Sequence, residues 1–146
     1  MQIMESVMMQ NMSRYKHLND RKMEAVMSKY GIRKIDIEII IYLSNCDGKN
    51  TARDIAAMDM FTKGHISQSV KRLSGSGYII IVQDEKDLRV QHLFLTEKAA
   101  SVLDDLMKVR KEINDCVFAG ITEEEFEVMR NIFEKMYNNI SKAIDI

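Results

Sequence analysis

The sequence predicts a mainly helical (α+β) fold, and three observations predict it. The terminal stretches carry apolar residues at steps of three to five, the spacing of one helix face, in a chain of 146 residues without a proline. The middle holds two short helix signatures in succession, each opened by a threonine suited to capping, Thr51 and Thr62. Behind them a charged hexad, Asp84-Glu85-Lys86-Asp87-Leu88-Arg89, lies between two apolar runs, Tyr78 to Val82 and Val90 to Leu95. That arrangement reads as a β-hairpin with buried arms and a charged tip.

The elements follow in order. From Ile3 to Tyr30 the apolar positions Ile3, Val7, Met8, Met12, Tyr15, Leu18, Met23, Val26 and Met27 suit one face of a long helix, and Gly31 stops it. Asp36 is expected to cap a second helix with its core at Ile37, Ile39, Ile40, Ile41, Tyr42 and Leu43; Asp47-Gly48 closes it. The isoleucines would also suit a strand, but the flanking cap and stop favour a helix. Thr51-Ala52-Arg53-Asp54 resembles a capping box, with Asp54 where Glu or Gln is usual, and starts a short helix that turns Ile55, Ala56 and Met58 inward. Thr62 caps the next, with Ile66, Val70 and Leu73 on one face and Gly75 and Gly77 at its end. Two short helices separated by a few residues form a helix-turn-helix signature. After the hairpin, Thr96 is expected to cap a helix reaching about Ala119, whose apolar side holds Leu103, Leu106, Val109, Ile113, Cys116 and Val117. Gly120 breaks it. Thr122-Glu123-Glu124-Glu125 is a capping box for a last helix bearing Phe126, Met129, Ile132, Phe133, Met136, Ile140 and Ala143.

A helix followed by a charged hairpin is the layout of a winged helix-turn-helix. One domain over 1–146 is expected, with a DNA-binding lobe at 35–97 and dimerisation helices at 1–34 and 98–146. The terminal helices have no obvious partner in a small central lobe, and the same helices of a second chain would cover them.

Composition narrows the class. Hydrophobic residues at 46% and charged residues at 29% describe an ordinary globular chain. No apolar run is long enough for a membrane span and no secretion signal is recognisable, so the cytoplasm is the expected compartment. A net charge of −1 opposes non-specific coating of nucleic acid. The distribution matters more than the total. Between Lys63 and Val82 the charged residues are Lys63, Lys71 and Arg72, with no carboxylate before Asp84, whereas acids dominate from Asp104 to Glu127. The middle can therefore meet phosphate while the C-terminal third avoids it. Nothing resembles a phosphate-cradling glycine loop, a zinc-binding histidine pair or a nucleophile elbow, so no enzyme activity, catalytic residue or cofactor is expected.

On a wheel of about 100° per residue, burying Ile66, Val70 and Leu73 turns Gly64, Gln68, Lys71 and Gly75 outward, flanked by His65, Ser67 and Arg72, with Thr62 and Lys63 at the helix start. Such a face suits a major groove. Gln68 can read adenine bidentately, Lys71 or Arg72 can reach guanine or phosphate, and Gly64 admits close backbone approach. At the hairpin tip, Arg89 is suited to a minor groove, with Lys86 as its basic neighbour and Asp87 placed to orient the guanidinium.

Asp87-x-Arg89, then five residues, then Leu95-Thr96 resembles the wing motif of the MarR family of bacterial transcription regulators. Leu73-Ser74-Gly75-Ser76-Gly77-Tyr78-Ile79 is similar to that family's passage from recognition helix to wing. Thr96-Glu97-Lys98-Ala99 and Thr122-Glu123-Glu124-Glu125 resemble the starts of its last two helices. The resemblance implies a homodimeric repressor or activator on a pseudo-palindromic operator of double-stranded DNA, of the kind that small ligands, metals or oxidants release.

Three departures stand beside it. Ile80 and Ile81 occupy positions where the family often carries charge, which thins the basic surface and keeps a second reading open, a winged-helix protein-interaction module with weak or lost DNA binding. No cysteine precedes Cys46, so oxidant sensing through the first helix is not expected, and Cys46 and Cys116 read as core or helix-packing residues. His17, His65 and His92 fall on three different elements, which argues against a metal site. Most of the 12 methionines read as interface filler. Met12, Tyr15, Met23, Tyr42 and Met107 are candidate lining for a small apolar or aromatic effector.

Overall fold

The computed structural model describes residues 2–144, with side chains from residue 6 onward, so the apolar position assigned to the Ile3 side chain lies outside what is described. The elements run α1 (Gln2–Tyr30), α2 (Lys34–Ser44), α3 (Ala52–Ala56), α4 (Lys63–Gly75), β1 (Ile79–Gln83), β2 (Gln91–Leu95), α5 (Lys98–Val117) and α6 (Glu123–Ala143). They form two compact units, Met1–Ile113 and Asn114–Ile146. No helix among the described residues is long and apolar enough to cross a membrane.

The first unit closes around the winged helix-turn-helix. Ile39 and Ile40 of α2, Ile55 of α3, Ile66 and Leu73 of α4, Ile79 and Leu93 of the hairpin, and Val102 and Leu106 of α5 share one core and are almost entirely enclosed. Full burial of each such side chain stabilises by roughly 1.5–3 kcal/mol. The local signals act as expected at α3, where Thr51 Oγ1 accepts from the Asp54 N–H at 3.2 Å and the Asp54 carboxylate accepts from the Thr51 N–H at 3.0 Å. Gly31 ends α1 at φ +63°, a left-handed conformation that costs a glycine little.

Several expectations are corrected. Asp36 does not cap α2. The helix starts three residues earlier than that cap implies, Arg33 holds the N-cap position, and Asp36 reaches back to accept the Arg33 N–H at 2.9 Å. Thr96 does not cap α5 through its hydroxyl, which donates to the Gly77 carbonyl at 2.6 Å and staples the hairpin's base; its backbone carbonyl accepts the Ala99 N–H. Helix α5 ends at Val117, short of Ala119. Met58 and Cys116 are exposed, not inward.

The hairpin arms are not buried either. β1 and β2 pair antiparallel with Ile80 opposite Phe94 and Val82 opposite His92. Tyr78, just ahead of β1, is buried, and within the strands only Ile79 and Leu93 are, while Ile80, Val82 and Phe94 lie on the solvent-facing side. Burial on the inner face is confined to the base and middle of the hairpin, since Ile81, opposite Leu93, is also exposed, and the outer face is apolar. Among the described side chains of α1, burial is confined to the second half, at Met23 and Val26, while Val7, Met8, Met12 and Tyr15 are exposed.

The second unit is dominated by α6. Thr122 and Glu125 form the expected capping box, with Thr122 Oγ1 accepting from the Glu125 N–H and the Glu125 carboxylate accepting from the Thr122 N–H at 2.9 Å. The helix is amphipathic, yet no residue of it is buried, and Phe126, Ile132, Phe133, Tyr137 and Ile140 remain exposed.

Candidate nucleic-acid interface

Helix α4 starts where Thr62, in extended backbone, accepts the His65 N–H on its hydroxyl at 3.3 Å. Burial of Ile66, Ser69, Val70 and Leu73 fixes the helix's rotation, so Lys63, Gly64, His65, Ser67, Gln68 and Lys71 all face solvent. A Cβ added at Gly64 would meet only the Thr62 hydroxyl, at 4.0 Å, so the fold leaves open space there. Backbone can come close to a partner at that point.

Arg72 is placed differently from its neighbours. Its Nη2 donates to Asp36 Oδ1 at 2.8 Å, and its side chain is 31% exposed. Asp36 is buried, and the same carboxylate oxygen also accepts from the Ser69 hydroxyl. Burying that carboxylate requires the cation, because an uncompensated interior charge is strongly destabilising. Arg72 therefore braces α4 against α2. Arg72 Nε is buried without a hydrogen-bond partner among the described residues.

The wing tip is organised by Asp84, which opens the turn. Asp84 Oδ1 accepts from the N–H groups of Lys86 at 2.8 Å and Asp87 at 2.9 Å, and Oδ2 lies 3.0 Å from His92 Nε2. The hydrogen bond from His92, and then the two backbone donors, hold the Asp84 carboxyl down to about 2. The sequence signal was an aspartate opening a turn, which commonly accepts from the backbone two residues on. Asp87 is corrected in detail: its carboxylate accepts the backbone N–H of Arg89 at 3.0 Å and orients the main chain, with no ion pair to the guanidinium among the described residues. Lys86 and Arg89 are exposed at the tip.

The structure places the five candidate effector residues on three helices, Met12, Tyr15 and Met23 on α1, Tyr42 on α2 and Met107 on α5. Met23 is in the core, Tyr42 donates its hydroxyl to the Lys49 carbonyl at 2.7 Å, and Met12, Tyr15 and Met107 are exposed. None of them lines the concavity that borders the interface. That cavity, of about 330 Å³, lies between the start of α2 and α4, with Arg33, Lys34, Ile35, Phe61, His65, Gln68 and Arg72 around it. It was not foreseen from the sequence, because Arg33 and Lys34 join α4 only through the fold.

Comparison with known proteins agrees with this geometry. The chain is 20% identical over 113 residues to the HTH-type transcriptional repressor IacR of Pseudomonas putida, covering 75% of this chain and 68% of that protein. Its fold superimposes on a MarR transcriptional regulator from Methanosarcina mazei Go1 with a TM-score of 0.77 at 21% identity, over 94% of this chain and 99% of that one. It also matches the S. aureus MepR–DNA complex, with a TM-score of 0.60 at 22% identity over 86% and 93% of the two chains. The family model of the transcriptional regulators SarA/Rot matches residues 21–106. With the MarR-type winged-helix fold around that segment, the chain belongs to the SarA/Rot family of transcriptional regulators.

Proposed function

We propose that this regulator binds double-stranded DNA sequence-specifically as a homodimer, with α4 in the major groove and the wing tip on the adjacent backbone or minor groove. The observation that carries this reading is the outer face of α4, where Lys63, His65, Gln68 and Lys71 stand exposed with no carboxylate in the sequence until Asp84. Thr62, Gly64 and Ser67 complete that face, and Lys86 and Arg89, with Asp87 shaping the turn, form the second contact. Arg72 contributes by bracing the helix, and its exposed part can meet a flanking phosphate.

Homodimerisation is supported by the unburied apolar side of α6 and by the exposed apolar residues in the first half of α1. A second copy that covers them generates a two-fold axis and hence a pseudo-palindromic operator. Repression is the output we favour, since the P. putida relative is named a repressor. Release by a small apolar or aromatic effector, with Met12, Tyr15, Met23, Tyr42 and Met107 as candidate contacts in the dimer, belongs to the same reading, as does a cytoplasmic location.

Selection of bound duplexes from a random pool tests the proposal. An inverted repeat with half-sites about one helical turn apart is expected; a monomeric site, or no enrichment, would count against it. The exposed Ile80, Val82 and Phe94 favour a second reading, a protein-interaction module. Failure to be retained on a random-DNA column at low salt would favour that alternative.

A further inference from the structure

His92, on β2, occupies a junction that the DNA-contacting residues do not explain. Its Nδ1 lies 2.7 Å from Asn50 Oδ1 and its Nε2 lies 3.0 Å from Asp84 Oδ2. Asn50 is buried, and its backbone carbonyl accepts the Leu93 N–H at 2.8 Å. Its neighbour Thr51, the N-cap of α3, pairs with His92 as an isolated antiparallel bridge. One imidazole thus spans from the start of the helix-turn-helix to the carboxylate that organises the wing tip. Both ring nitrogens face oxygen acceptors. A neutral imidazole has one N–H and leaves a lone pair against one of those oxygens, whereas an imidazolium donates to both.

We infer that His92 is a positioning residue whose imidazolium latches the wing tip to the DNA-binding lobe, and that loss of its proton frees the tip. In the latched form Nδ1–H donates to Asn50 and Nε2–H to Asp84, whose other oxygen gathers the Lys86 and Asp87 N–H groups beside Arg89. Charged groups on the surrounding segments are Asp84, Glu85, Lys86, Asp87 and Arg89 at the turn, Lys49 before α3, and Arg53 and Asp54 within it. The Asp54 carboxylate is occupied by the Thr51 N–H and hydroxyl, which leaves Asp84 as the carboxylate that meets the ring. A preordered tip loses less freedom on binding, so DNA affinity falls as the solution becomes more alkaline across the range in which histidine titrates. That consequence rests on the proposed DNA-binding role, whereas the latch belongs to the free chain.

Nitrogen-15 NMR of the full chain, from about pH 5.5 to 8, tests the latch directly. Both ring nitrogens of His92 should be protonated at the acid end, and the amide signals of Lys86 and Asp87 should move with its midpoint. A single protonated nitrogen throughout, with the Asn50 amide donating to the other, would overturn the inference, as would Lys86 and Asp87 signals that ignore the titration. In a second arm, fluorescence anisotropy on a selected duplex should show wild-type affinity dropping roughly tenfold across that range, as loss of one charge-assisted bond allows. The drop should be clearly smaller in His92→Gln and in Asp84→Asn, with folding checked by thermal melts. The difference between the wild-type and variant profiles reports the latch; superimposable profiles would overturn its role in binding. If no variant, wild type included, binds any duplex, the DNA reading fails while the NMR arm still decides the latch.

Discussion

Lys29 at the end of α1 places its ammonium 2.5 Å from Asp105 Oδ2 on α5, and the Tyr30 hydroxyl donates to the same oxygen at 2.9 Å. The Lys29 hydrogen bond first, then that from Tyr30, holds the Asp105 carboxyl down to about 2. A carboxyl depressed in the folded state stabilises above its unfolded value of 3.8 and loses that contribution as pH falls towards about 2. The melting temperature of Asp105→Asn should therefore lie below wild type at neutral pH and converge on it between about pH 4 and 2. Differential scanning calorimetry across that window checks the sign; a gap that widens in acid would contradict it.

Asp36 is the buried carboxylate that holds Arg72, Ser69 and the first turn of α2 together. Asp36→Ala leaves a partly enclosed guanidinium without its anion and should cost about 3 kcal/mol. Urea denaturation followed by circular dichroism measures this. A loss within about 0.5 kcal/mol, the range of an ordinary surface change, would show that the brace carries no weight.

Arg89 and Gln68 are exposed and support no core contact, so their replacement separates binding from folding. Arg89→Ala should weaken binding of selected and random duplexes alike and lower the slope of log K against log salt by about 1. Gln68→Ala should relax preference at one base pair, a change of about 1–3 kcal/mol in discrimination. Both should melt with wild type. Unchanged affinity in Arg89→Ala, or unchanged preference in Gln68→Ala, would remove that contact from the proposed interface.

Phe133 and Ile140 lie on the uncovered apolar side of α6, and Thr122 caps the helix independently of either. Phe133→Glu or Ile140→Glu should convert a dimer to a monomer in sedimentation velocity while helix content is retained. A monomeric wild type, or a dimer that tolerates both charges, would count against α6 as the seam.

The parts of this fold legible in the sequence are those fixed over three or four residues. Thr51, Thr62 and Thr122 each cap the helix assigned to them, because a hydroxyl and the N–H three residues on are brought together by local geometry alone. Asp36 was misplaced for the same reason: aspartate serves equally at the N-cap or three residues inside, and only Arg33 and Arg72 decide between them. The outward set on α4 followed from periodicity, which put Arg72 at the flank of that set but could not show that Asp36 holds it. The bond between His92 and Asn50 spans 42 residues, which no local pattern encodes. Apolar hairpin arms implied burial, although a two-stranded sheet has one face too many for the core to cover.

The Asp36 brace has a mechanical meaning beyond its energy. Because one buried oxygen receives both Arg72 and Ser69, α4 is tied to α2 at two points one helical turn apart. A displacement of α2 would therefore carry α4 with it. On the proposed homodimeric DNA-binding role, an effector acting on this lobe would leave the outer face of α4 intact and change the separation of the two copies of that face. Its signal would be written in half-site spacing, and an operator whose half-sites were moved closer or further apart would change its response to the effector while keeping the same bases in each half.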